Sequence, residues 1–133
     1  MDVTLGPWTA DVSVEESQRK PLAKAMGDAA WNKVKNTAGF TPKEAPLGKP
    51  AKKGFTISGK VTHVVKGETG VTSRAIFTLW VDGTFSNVAP LKGEASSSGN
   101  GSRDAEEALI AVTESRVKTL LDAIKGGRAA KAR

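Results

Sequence analysis

The sequence predicts an α+β two-layer sandwich, β-α-β-β-β-α, with two helices packed on one mainly antiparallel sheet. Three observations lead there. Apolar residues recur at three- and four-residue steps over 22–34 and again over 105–124, the spacing of amphipathic helices. Two runs, 55–65 and 72–81, alternate apolar and polar residues as half-buried strands do. A short glycine-bearing segment joins those runs, which makes them an antiparallel hairpin. Two helical stripes and one sheet bury each other best as two layers.

In chain order, Val3-Thr4-Leu5-Gly6-Pro7-Trp8 alternates and then meets a proline without a ladder donor, so a short strand stops or bulges at Pro7. Ser13-Val14-Glu15-Glu16 has the Ser-x-x-Glu form of a capping box, and Pro21 is placed as for the first position of a helix. That helix carries Leu22, Ala25, Met26, Ala29, Ala30 and Val34 on its apolar side and runs to about Asn36, with Gly39 as the stop. Segment 41–54, rich in Pro, Gly and Lys, reads as a long loop because Pro42, Pro46 and Pro50 forbid a helix or a central strand.

The hairpin follows, with Lys66-Gly67-Glu68-Thr69-Gly70 as its turn. Asp82-Gly83 is a second turn signal, and 85–95 supplies a further strand that Pro90 confines to an edge or a bulge. Ser96-Ser97-Ser98-Gly99-Asn100-Gly101-Ser102 is a flexible connector. The last helix is capped by Ser102 or Asp104, and Asp104-Ala105-Glu106-Glu107 offers another capping box. Its stripe is Ala105, Ala108, Leu109, Val112, Val117, Leu120, Leu121 and Ile124, and Gly126-Gly127 ends it. At 133 residues the chain is one domain, 1–127, followed by a basic flexible tail, 128–133.

Composition narrows the chemistry. There is no cysteine, no tyrosine and one histidine, His63, so disulfides, structural zinc and most nucleophilic or general-base constellations are excluded and only carboxylates remain. The expectation is a non-enzymatic binding module without cofactor or metal. A net charge of +6 favours encounter with phosphates, anionic lipid or acidic protein surfaces. No apolar stretch approaches the ~20 residues that span a bilayer, and Met1-Asp2-Val3-Thr4 lacks the features of a signal peptide.

Gly54-Phe55-Thr56-Ile57-Ser58-Gly59-Lys60 matches the first seven positions of a phosphate-binding loop. Val61 stands where Ser or Thr is needed, however, and the strand pattern continues where a helix should begin. His63 shares the parity of Ile57 and Val61, which places it at the end or rim of the buried face as a hydrogen-bonded structural residue. Glu106, Glu107 and Glu114 are explained by helix capping and a solvated face, and an acid-only active site would need two of Glu68, Asp82, Glu94 and Glu106 in one pocket. Asn100-Gly101-Ser102 fits a glycosylation sequon inside a Ser/Gly tract.

The candidate partner-binding residues are Trp31, Trp80, Lys49, Lys52 and Lys53. Trp31 departs from the apolar stripe of its helix, as a residue at an interface does. Trp80 lies opposite Phe77 and Leu79: covered, it is core, which the scarcity of aromatics favours; exposed, it is a stacking platform or a protein anchor. Lys43, Lys49, Lys52 and Lys53 in the proline-rich loop, with Lys125, Arg128, Lys131 and Arg133 near the end, are the basic clusters that phosphate contacts would use.

Taken together, Val3-Thr4-Leu5-Gly6-Pro7-Trp8, the alanine-rich helix before Gly39-Phe40, Phe55-Thr56-Ile57-Ser58-Gly59-Lys60-Val61 and Ala105-Glu106-Glu107-Ala108 resemble one family pattern. It is the small α+β domain of bacterial envelope lipoproteins: the curli-secretion lipoproteins, the lipoprotein activators of penicillin-binding proteins and the amino-terminal domain of TolB. The resemblance implies a non-catalytic adaptor or assembly domain that binds an envelope protein, with homo-oligomers among its forms. It implies a periplasmic or outer-membrane-associated location if a signal sequence was removed, and a cytoplasmic one otherwise. Pairing through the edge strand around 88–95 is the expected mode. The alternative from charge is a nucleic-acid-binding domain using the Lys-rich loop and the basic tail.

Overall fold

Alternation decides which side chains each strand sends to the helices, and the helices follow that face. The computed structural model describes residues 1–46, 49–68, 70–85, 91–97, 99 and 102–126. Its elements are β1 (Asp2–Ala10), α1 (Glu16–Lys35), β2 (Thr41–Glu44), β3 (Phe55–Lys66), β4 (Val71–Val81), β5 (Thr84–Phe85), β6 (Leu91–Ser97) and α2 (Ser102–Lys125). Strands run in the order β2-β1-β3-β4, and β5 and β6 both pair with β4. Because β3 occupies the other side of β4 along its full length, β5 and β6 share one sheet position, end to end.

The α+β two-layer architecture is therefore present, with a mixed sheet. β1 runs parallel to β2 and β3, and the remaining pairs are antiparallel. Parallel pairing follows from chain order, since a helix between two strands of one sheet returns the chain in its original direction. α1 lies over β1, α2 over β4 and β6, and the helices touch. Between the layers sit Val3 and Leu5, Leu22, Met26 and Val34, Ile57 and Val61, Phe77 and Leu79, and Leu109, Leu120 and Leu121, all at most 5 % exposed.

Several sequence expectations are corrected. Thr41–Glu44 is a strand, β2, where a loop was expected. Pro42 is tolerated because β2 is the outermost strand on its side, so the missing donor need not face a neighbour. Of the two expectations at Pro7 the bulge is the one realised: β1 shifts register between Leu5 and Trp8 across a cis Gly6–Pro7 bond and continues to Ala10. The strand expected over 85–95 appears as β5 and β6, with 86–90 outside the described residues.

The first helix ends as expected, at Lys35 with Asn36 as its C-cap, but its start does not follow the capping expectation. α1 begins five residues before Pro21, so the proline stands inside it, and Glu15 is its N-cap without a side-chain bond. Ser13 is used elsewhere: its Oγ donates to the Thr62 carbonyl at 2.6 Å and lies 2.9 Å from the Asp11 carboxylate. In α2 the first helical residue is Ser102, which puts Asp104 inside the first turn, where it accepts from Ser97 Oγ at 2.8 Å. Asp82 (φ 52°) and Gly83 (φ 74°) both take the left-handed conformation that the tight β4–β5 turn requires. Gly127, the sequon at Asn100 and the tail 128–133 lie outside the described residues.

Trp8 shows how glycine positions a large side chain. A Cβ on Gly59 would meet Trp8 Cζ3 at 2.9 Å and Met26 Sδ at 3.0 Å, and one on Gly27 would meet Trp8 Cδ1 at 2.7 Å. The indole thus fills a slot that exists only because α1 and β3 each carry a glycine there.

Candidate functional site

Two helices cover one face of the sheet, which leaves the other face and the outer strand to meet whatever the protein binds. The open face is written by the alternate residues of the same strands: Thr72, Arg74, Ile76, Thr78 and Trp80 on β4, Ser58 and Lys60 on β3, and Lys92, Glu94 and Ser96 on β6. Threonine, isoleucine and tryptophan suit a pleated surface whether or not it is covered. Cross-strand pairs fix it: Thr72 and Ser96 share a hydrogen bond of 2.6 Å, Arg74 Nε lies 2.8 Å from Glu94 Oε2, and Trp80 Nε1 donates to Ser58 Oγ at 2.9 Å.

His63 reaches this face through a bulge. β3 slips register between Val61, opposite Ala75, and His63, opposite Arg74. The expected burial of His63 with Ile57 and Val61 is therefore overturned: the extra residue reverses parity and leaves the imidazole exposed. The segment after β1 holds the bulge, since Asp11 N donates to the Val61 carbonyl at 2.8 Å and Ser13 grips Thr62. Ser13, with Lys60 Nζ at 3.3 Å, holds the Asp11 carboxyl below its ordinary pKa.

Beside the bulge the open face forms a depression of about 590 Å³. His63, Arg74, Lys92, Glu94 and Arg116 line it. Arg116 comes from α2 and passes over Gly93, where a Cβ would lie 2.9 Å from its Nε. That Nε is buried without a hydrogen-bond partner among the described residues, and such an orphan donor costs about 1–3 kcal/mol. Sequence reasoning missed Arg116. The signal was present: 109, 112, 116 and 120 fall on one helical stripe, so a cation stands where an apolar residue is expected, and a strand glycine makes room for it.

The predicted binding residues fall into two groups. Trp80 is half-buried on the open face, outside the core that was favoured for it. Lys49, Lys52 and Lys53 are exposed on the segment that crosses the same end of that face: Ala51 N donates to Thr56 Oγ1 at 2.9 Å, and Thr56 is the register partner of Trp80. The structure therefore brings the lysines and Trp80 to one region. Trp31 stands apart on α1, 39 % exposed, at a groove of about 520 Å³ that it lines with Pro7, Trp8, Asp28 and Glu44.

The candidate acids are dispersed among separate elements. Glu68 is in the hairpin turn, Glu94 on β6 is paired with Arg74, Glu106 is on α2 facing α1, and Asp82 Oδ1 accepts from Gly54 N at 2.8 Å. Gly54 to Lys60 run directly into β3, so the phosphate-loop likeness has no helix behind it. Among the described residues no group of three or more His, Asp or Glu side chains is placed to hold a metal, and no helix is long and apolar enough to cross a membrane.

No protein-family model matches the chain, and no curated protein matches it in sequence. Solved structures do resemble it. A hypothetical protein from Chlamydia trachomatis superposes with a TM-score of 0.61 at 8 % identity, covering 94 % of this chain and 96 % of that one. A DUF330 protein from Xanthomonas campestris gives 0.63 at 13 %, covering 96 % and 87 %. PelC from Paraburkholderia phytofirmans, crystallised as a dodecamer, gives 0.55 at 16 %, covering 85 % and 86 %. At such identities the likeness is one of fold, over nearly the whole domain in each case.

Proposed function

We propose that this chain is a non-catalytic protein-binding and assembly domain of the bacterial cell envelope, which pairs the outer edge of β6 with an extended strand of a protein partner, a second copy foremost. One observation carries the reading: among the described residues β6 pairs only with β4, so a seven-residue strand presents its other backbone edge unpaired. The bacterial neighbours that share the fold support it, as does the dodecamer that PelC forms. The dispersal of the acids favours binding over catalysis.

Light scattering over a concentration series tests the proposal. The expected result is an assembly whose mass rises above that of one chain, with the amides of 91–97 that point away from β4 becoming protected from exchange as it forms. A chain that stays monomeric throughout, with those amides exchanging freely, contradicts it.

The nucleic-acid alternative keeps one specific support, the placement of Lys49, Lys52 and Lys53 at the Trp80 end of the open face. It requires a mobility shift with single-stranded DNA at low salt that disappears steeply as salt rises.

A further inference from the structure

We infer that the depression on the open face, between the β3 bulge and β6, is a binding site for a dianionic phosphate group, with Arg116 as its principal ligand. Arg74, Lys92 and Arg116 line it against a single carboxylate, Glu94, so its described lining leaves two positive charges uncompensated. A phosphate monoester near neutral pH supplies about that charge. Glu94 is engaged by Arg74 at 2.8 Å, which leaves Lys92 and Arg116 to face an incoming group.

Arg116 is built for this in a way that a surface arginine is not. Its stem is packed over Gly93 on the helix side, where a Cβ would lie 3.2 Å from its Cγ, and the same side chain lines the depression. Its Nε is buried, and no partner among the described residues accepts from it. The guanidinium is thus packed in place with its Nε–H unspent, and its planar fork is suited to an oxyanion. His63, brought to this face by the bulge, adds a ring nitrogen at the rim, beside Thr62, whose hydroxyl donates to the Arg74 carbonyl at 3.2 Å.

The phosphate can arrive free or on a lipid headgroup, and the test separates the two. The full chain is titrated calorimetrically with inorganic phosphate, and in parallel sedimented with vesicles of phosphatidylcholine containing phosphatidic acid, pure phosphatidylcholine being the blank. Saturable binding in the first arm assigns a soluble ligand, and binding confined to the second assigns a lipid. In either arm Arg116→Met, which keeps the stem over Gly93, lowers affinity by roughly tenfold or more. Lys92→Gln, a surface change that leaves the fold intact, lowers it severalfold, and Glu94→Gln raises it. Silence in both arms overturns the proposal. So does binding that Lys92→Gln and a folded Arg116→Met leave unchanged, or binding of a DNA oligonucleotide that Lys52→Gln weakens and Arg116→Met does not.

Discussion

The two faces of the sheet use the same strands for opposite ends. On the covered face β4 offers Val71, Ser73, Ala75, Phe77, Leu79 and Val81, each buried, while the residues between them, from Thr72 to Trp80, are half-buried or exposed. A strand with period two must make both surfaces at once. Stability is concentrated on the helix side. Charge and hydrogen-bonding groups collect on the other, where water or a ligand can meet them. A substitution at 77 and one at 80, three positions apart on one strand, should therefore differ more than the sizes of the side chains suggest.

Phe77→Ala makes the sharpest contrast. Phe77 is wholly buried between the layers, so its truncation should cost about 3–5 kcal/mol of unfolding free energy in a urea titration; a loss below about 1 kcal/mol would place the core elsewhere. Gly59→Ala tests the slot for Trp8 on the same face. The added methyl meets the indole and Met26, and overpacking of this kind costs about 1–3 kcal/mol. A neutral result would mean that Trp8 is loosely held.

On the open face Trp80→Ala should cost less, about 1–2 kcal/mol, because the indole is half-buried and loses one hydrogen bond to Ser58. A cost equal to that of Phe77→Ala would erase the distinction between the faces. The smallest effect is that of Asp11→Asn at the bulge. Ser13 and Lys60 lower the Asp11 carboxyl below its unfolded pKa, so its contribution is complete above the usual carboxylate range and is lost as pH falls through the lowered value. Thermal melts of Asp11→Asn and the parent should differ near neutral pH and converge in acid. A difference that grows toward low pH would contradict the assignment.

What could be read from the sequence follows the same division. Helix stripes and strand alternation are dictated by the demand to bury apolar surface, so the two layers, the 3–4 hairpin and nearly all core positions were legible from residues such as Leu22, Phe77 and Leu109. Features held by backbone bonds between distant segments were not. Nothing local to His63 announces that Asp11 and Ser13 hold a bulge two residues upstream, and Pro42 argues against a strand that only its edge position permits. The same holds for Arg116, which reads as an interruption of a helix stripe until Gly93 is seen beneath it. The lysines of the proline-rich segment and Trp80 were named separately, and only the crossing at Thr56 joins them.

The claim that this is an assembly domain stands or falls on the outer edge of β6. Backbone amide exchange over Leu91–Ser97, measured at low and at high protein concentration, addresses it most directly. Strand pairing predicts that alternate amides, those turned away from β4, gain protection at high concentration while the inward ones are protected throughout. Outward amides that exchange at the same rate at both concentrations would contradict the account.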